Sequence, residues 1–343
     1  MAQVSLQEDG GGDYTTLYAA VVTNNETDIL IEGEWDSPDV GANDTVIDDN
    51  GTTIEAVGSS KVTGAGHIAG TPTHYRKEDV SGHVFEITAT GVTLEGFEIH
   101  QTGAGASDEC IRFDANGTLD VKACILWGDR GAADHDGFYF GTAASTSSVA
   151  TFENCVVYNF RRAGLHNYKE AGATFNINSC TLFYCGEATE AYSGEVVLYG
   201  QATNYCNIFN SILVGEQGTE WDYNVNAAAG LSDTLDRVLY GNKIAADTEN
   251  DLLAVAYSDA DQGSGNYVIF NDITGDTPWD LRIQDLTNAN NKAQDQHSDA
   301  DMTNEVNSQS LSMPAVDLDG TTRSAPYCVG AFEIEDASSS SSS

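Results

Sequence analysis

Basic residues are scarce in this chain. Fourteen Lys and Arg stand against 53 Asp and Glu, a net charge of −39 over 343 residues. Nucleic acid and anionic lipid bind proteins through Lys and Arg that replace counterions, so neither partner is expected. Proline is scarce too, at 5 residues, which argues against stiff Pro-rich linkers. No apolar run approaches the ~18 residues a membrane helix needs. The opening "MAQVSLQEDGGGDYTTL" has neither the basic nor the apolar stretch of a secretory signal. No CxxC pair occurs among the 7 cysteines, whose odd number leaves at least one unpaired in a monomer. A zinc ribbon and a disulfide scaffold are therefore not expected. A P-loop, a dinucleotide fingerprint and HExxH are also missing.

The acid excess suits a protein that stays soluble in high salt. Screening contracts from ~10 Å at 0.1 M to ~3 Å at 1 M and relieves self-repulsion. The melting temperature is expected to rise with sodium chloride across that range. A flat or falling trend in thermal melts would reject adaptation to salt.

What the chain has is a repeat. Five segments align without gaps: "LEGFEIH" (94–100), "VKACILW" (121–127), "FENCVVY" (152–158), "INSCTLF" (177–183) and "IFNSILV" (208–214). Their fourth positions are Phe97, Cys124, Cys155, Cys180 and Ser211, spaced by 27, 31, 25 and 31 residues. A second frame precedes them: "HVFEI" (83–87), "CIRFD" (110–114), "GFYFG" (137–141), "GLHNY" (164–168) and "VVLYG" (196–200). Both frames alternate at period 2, the mark of strands with one buried face. Short strands returning at this interval, with Gly, Asn and Ser turns and few hairpin signals, predict a parallel coil. Stacked strands ~4.8 Å apart align equivalent side chains in columns. The cysteines then fill one interior column as small apolar residues. Beside them runs a turn column of Gly96, Ala123, Asn154, Ser179 and Asn210.

These frames resemble the right-handed parallel β-helix of the pectin-lyase-like superfamily. "GGGDYTTLYAAV" (10–21) resembles the segment that caps the open end of such coils with a short helix. Thr15 or Thr16 would cap it, with Leu17, Ala20 and Val21 facing inward. "WDLRIQD" (279–285) and "VDLDGTTRSAPYCVGAFE" (316–333) resemble closing coils of bacterial and phage β-helix proteins. The expected fold is thus all-β, a right-handed parallel β-helix with a short N-terminal capping helix. Residues 1–25 form the cap segment and 26–335 the coil. Within the coil, 216–265 is irregular and 286–315 supplies polar late-coil loops. Residues 336–343 form a flexible Ser-rich tail.

Two outer columns follow from the alternation. One is Glu86, Arg112, Tyr139, His166 and Val197. Here Arg112 could clamp a carboxylate, and Tyr139 and His166 could serve as acid and base in β-elimination on a uronic-acid polymer. Arg161, Arg162 and Lys169 lie in the same coil as His166, and Asp134, His135 and Asp136 just before Tyr139. The other column is His100, Trp127, Tyr158, Phe183 and Val214, a ledge suited to a sugar or a neighbouring subunit unless the chain's own loops cover it.

The enzyme motifs of the resembled family are mostly missing. No paired Asp precedes a Gly-His-Gly as in polygalacturonases, and "DHDGFYFG" (134–141) is only loosely similar to a pectin methylesterase segment. No cofactor is required, although calcium, as in calcium-dependent pectate lyases, is compatible with so acidic a surface. The adopted reading is a structural or binding β-helix of a virion or cell surface, such as a phage decoration, spike or fibre subunit. Its partners would be other surface proteins and polysaccharide. The family resemblance implies a homotrimer, and the missing signal peptide, missing enzyme motifs and serine tail suit a virion-surface or extracellular location. The alternative is a polysaccharide lyase or glycoside hydrolase acting on acidic polysaccharide.

Overall fold

In the computed structural model the chain winds as an all-β parallel coil with very little helix. The structure describes residues 3–41, 44–68, 73–103, 105, 108–130, 135–141, 144, 147–167, 173–186, 193–200, 205–215, 221–227, 232–241, 248–250, 252–258, 267–273, 277–284, 291, 293, 303–306, 309–312, 314–323 and 328–333. Each turn of the coil lays down three strands, so three parallel ladders run along its length. The first ladder holds Thr118–Lys122 and its equivalents, and the second Ile125–Gly128 and its equivalents. The third is a separate sheet of seven strands that includes Glu109–Phe113, Asp136–Phe140 and Ala163–Asn167. Among the described residues, no helix is long and apolar enough to cross a membrane.

Period-2 patterning builds the core. Leu94, Val121, Phe152, Ile177, Ile208 and Leu235 stand in register along the first ladder, and all are buried. Burying each such side chain contributes roughly 1.5–3 kcal/mol. The corner between the first and second ladders needs a left-handed residue. Gly96, Ala123, Asn154, Ser179 and Asn210 supply it, with φ of 84°, 47°, 52°, 53° and 47°. Gly and Asn tolerate this region at little cost, and the short side chains here also stack, Asn210 Nδ2 donating to Ser179 Oγ at 3.1 Å.

The cysteine column follows from this corner. Phe97, Cys124, Cys155, Cys180 and Ser211 are all buried, one residue after the left-handed position. The Cys155 backbone N–H donates to Cys180 Sγ at 3.4 Å, and the Cys180 N–H to Ser211 Oγ at 3.1 Å. Each thiol also turns back to the carbonyl two residues earlier. Cys124 reaches Lys122 O at 3.2 Å, and Cys155 and Cys180 reach Glu153 O and Asn178 O at 3.3 Å. Ser211 makes the same bond to Phe209 O at 2.7 Å. Cysteine recurs because it is small, apolar and still able to donate at a bent corner. Cys155→Ser is accordingly expected to cost under ~1.5 kcal/mol in urea melts. Cys155→Leu, which overpacks the column, is expected to cost ~1–3 kcal/mol.

At the N-terminus a five-residue π-helix, Ala19–Thr23, stands where a short capping helix was expected. Leu17, Ala20 and Val21 are buried in the core, and Thr16 Oγ1 accepts from the Ala19 N–H at 3.3 Å.

The C-terminal segments differ from the expected closing coils. Tyr267–Asp272 and Asp280–Ile283 pair antiparallel. Phe270, Leu281, Ile283, Val329 and Phe332 then share one apolar cluster with Trp127, Tyr158, Phe183 and Val214 on the outer face of the second ladder. Asn154 Nδ2 donates to Val316 O at 2.7 Å, and the Gly330 N–H to Asn210 O at 3.0 Å. The cause is the hydrophobic effect: the outer aromatic column is too apolar to face water, and the chain's own end covers it.

Candidate functional site

The third sheet carries the densest polar chemistry. Its strands do not alternate strictly. Cys110 and Ile111 are both in the core, and a Cβ at Gly137 would meet Phe160 and Val157 at 2.8 and 3.0 Å. The pleat therefore slips by one residue at each of these places. Glu109 and Asp136, paired in register, come out on the same outer face as Arg112 and Tyr139. The expected column is present: Glu86, Arg112, Tyr139, His166 and Val197 are register partners in that order.

A polar network lies across this face. Arg162 Nε donates to both oxygens of Asp136, at 2.9 and 3.0 Å, and its terminal nitrogen also pairs with Asp136. That same nitrogen lies 3.4 Å from Glu109 Oε1. His166 Nδ1 stands 2.9 Å from Asp136 Oδ2, and His83 Nδ1 stands 2.6 Å from Glu109 Oε2. Two carboxylates thus share one guanidinium, and each also meets a histidine, Glu109 through its other oxygen and Asp136 through the same Oδ2. Arg112 reaches Asp114 at 3.4 Å and His83 Nε2 at 3.3 Å, rather than the carboxylate of its register neighbour Glu86. Tyr139 meets the His166 ring edge-on at 5.4 Å, with the Arg162 guanidinium 5.8 Å from its own ring centre.

Environment separates the two carboxyls. Burial pulls Asp136 upward, but His166 and Arg162 outweigh it and hold the group below the ordinary range. Burial, with the Asp136 charge added, holds Glu109 above its ordinary value despite His83 and Arg162. Burial also raises Tyr139, which stays protonated at neutral pH. Burial disfavours the His83 cation, but Glu109 prevails and its pKa is raised.

The structure brings Arg112, Tyr139 and His166 together, with one correction. His166 is only 2% exposed, held by Asp136, and is not on a solvated face. The groups with open surface are Arg112, Tyr139 and Arg162, their guanidinium side chains 28% and 22% exposed. Sequence reasoning missed Glu109 and His83 and did not pair Asp136 with Arg162. The slip of the pleat at Cys110 and Gly137 hid these contacts. Two apolar residues in succession at 110–111 were the available signal. Lys169 and Asp134 lie outside the described residues.

The second column is also in register, His100, Trp127, Tyr158, Phe183 and Val214. The His100 and Trp127 rings stack with centres 3.4 Å apart, and Trp127 and Tyr158 lie nearly parallel at 5.9 Å. Their expected role as a glycan or subunit ledge is corrected by burial. All four ring residues are buried, the later ones beneath the C-terminal cluster. On this face Glu98, next but one to His100, gathers His67, His74, Arg76 and Trp127 around its carboxylate. Among the described residues, His67, His74 and Glu98 are the donor set close enough together to hold an ion, and no all-carboxylate set of the calcium type stands with them.

Fold and site together define a parallel β-helix protein with a partly buried histidine, carboxylate and arginine network on its third sheet. No family model matches the chain, and no curated protein matches it. Among solved structures, that of pectate lyase Pel9A aligns over 98% of each chain at 11% identity, with a TM-score of 0.44.

Proposed function

We propose that the outer face of the third sheet binds a uronic-acid polysaccharide and cleaves it by β-elimination. The observation that carries this reading is one column in which Arg112, Tyr139 and His166 stand side by side, with Arg162 over the phenol. Asp136 and Glu109 are tied to Arg162, so neither is placed as the free nucleophile or base of a hydrolase. Arg112 and Tyr139 are the partly exposed groups that elimination would use, with His166 buried beside them. Arg112 binds the uronate carboxylate and stabilises the charge that develops as the neighbouring C–H is deprotonated. His166 Nδ1 stands 2.9 Å from Asp136 Oδ2, and in the proposed step substrate binding uncovers the buried imidazole, which accepts the C5 proton. The bond from C4 to the glycosidic oxygen breaks, a C4–C5 double bond forms, and the Tyr139 phenol protonates the departing oxygen.

The reading as a virion or cell-surface subunit placed its contacts on the aromatic column. Burial of that column moves the weight to the third sheet. Acidic polysaccharides are met outside cells, so the proposed place of action is extracellular. The test is incubation with pectate, alginate, glucuronan and glycosaminoglycans, followed by ultraviolet absorbance of unsaturated sugar ends. Absorbance that grows with time on one of them is expected. Its absence across the whole panel would contradict the proposal.

A further inference from the structure

A second site lies on the outer face of the second ladder, away from the third-sheet network. Between the strands Thr53–Ala56 and Arg76–Asp79 the chain makes an excursion whose described parts are residues 61–68 and 73–75. It carries a one-turn helix, Gly64–His67, capped by Thr63, whose Oγ1 accepts from the Gly66 N–H at 2.9 Å. Asp319 of the C-terminal segment pins its start, accepting from the Gly64 N–H at 2.6 Å. The excursion sets two imidazoles over Glu98. His67 Nδ1 lies 3.0 Å and His74 Nε2 lies 2.5 Å from the same oxygen, Glu98 Oε2. The three donor atoms all fall within 4.8 Å of one another, and all three residues are buried.

The surroundings divide the work of the Glu98 carboxylate. Its other oxygen, Oε1, takes the Trp127 Nε1–H at 2.5 Å and lies 2.6 Å from Arg76 Nε. Oε2 is therefore turned toward the two histidines. The far nitrogen of His67, Nε2, lies 2.6 Å from the Tyr158 hydroxyl. A histidine that ligates a metal usually gives its other N–H to such a partner, which fixes tautomer and ring orientation. Tyr158 in turn sits in the stacked Trp127–Tyr158 pair, so the acceptor is rigidly held. Two buried imidazoles and one buried carboxylate, with Tyr, Trp and Arg around them, match the donor chemistry of zinc-class ions.

We propose that His67, His74 and Glu98 bind one divalent transition-metal ion of the zinc class. The ligating atoms are His67 Nδ1, His74 Nε2 and Glu98 Oε2. The ion separates two nitrogens that otherwise crowd a single oxygen. It also staples the segments carrying His67 and His74 to the coil, so binding is linked to folding of this face.

The test uses the whole chain, stripped with a chelator, dialysed and titrated with zinc against a chromogenic competitor. One equivalent bound at micromolar affinity or tighter is expected, with a raised melting temperature. His74→Ala and His67→Ala are each expected to weaken binding by at least 100-fold. X-ray absorption of the zinc-loaded wild type needs no variant and is expected to show two imidazoles in a nitrogen and oxygen shell. Folded apo protein that takes up zinc only in the millimolar range would overturn the proposal. So would an absorption spectrum without imidazole, which would place the ion on surface carboxylates instead. If a histidine variant fails to fold, the spectrum and the wild-type stoichiometry still decide.

Discussion

Tyr139→Phe should reduce turnover on the uronic-acid substrate by ~10²–10⁴-fold, the usual contribution of a positioned proton-transfer group. The phenylalanine keeps the ring that meets His166 edge-on at 5.4 Å and lies beneath Arg162. Only the phenolic hydroxyl is lost. KM should therefore move little while kcat falls, since the hydroxyl acts on the departing oxygen rather than on substrate in the ground state. Stability should change by less than ~0.5 kcal/mol, because the side chain is only partly buried. Initial rates by ultraviolet absorbance and a urea melt on the same preparation check both halves. A variant with wild-type kcat would remove Tyr139 from the chemistry.

Asp136→Asn should be the most damaging conservative change on the third sheet, costing about 3–5 kcal/mol. The carboxylate is fully buried, with Arg162 across both oxygens and His166 on Oδ2. An amide offers one acceptor oxygen where two are used, and leaves the guanidinium without its closest counter-charge. The wild type should show the same dependence as a function of pH. Asp136 has a folded pKa below its unfolded value, so its contribution is complete above the unfolded pKa of ~3.9 and disappears as pH falls through the folded value. Glu98, pulled up by burial but held well below the ordinary range by His67, His74 and Arg76, acts in the same direction. Glu109 opposes them, because its raised pKa favours the fold in acid. Stability should fall steeply below pH ~4, and the Asn variant should lose part of that slope. Urea midpoints between pH 2 and 7 give the answer, and an equal slope in both proteins would count against the pairing.

The coil itself was legible because its physics is local and repeated. A left-handed corner, a small donor after it and apolar residues at period 2 recur within each turn, and gap-free alignment exposes them. Both outer columns were readable in register for the same reason. Exposure was not readable, because it depends on contacts distant in sequence. Phe332 and Phe270 lie far along the chain from Trp127, and nothing in the repeat says that they cover it. The polar network was half legible. Arg112, Tyr139 and His166 follow from the alternation, but Glu109 and Asp136 reach the outer face only through a slipped pleat. His67 and His74 belong to an excursion outside the repeat, where alignment gives no guide to their meeting at Glu98.

The mass of the products formed from a defined uronic-acid oligosaccharide tests the central claim most directly. Elimination leaves one fragment lighter by a water molecule than the corresponding hydrolysis fragment, because the C4–O bond is broken without adding water. The expected result is a pair consisting of one saturated and one unsaturated fragment, lost in Tyr139→Phe. Two saturated fragments would show hydrolysis, and intact oligosaccharide from every substrate would show that the third-sheet face does not cleave them.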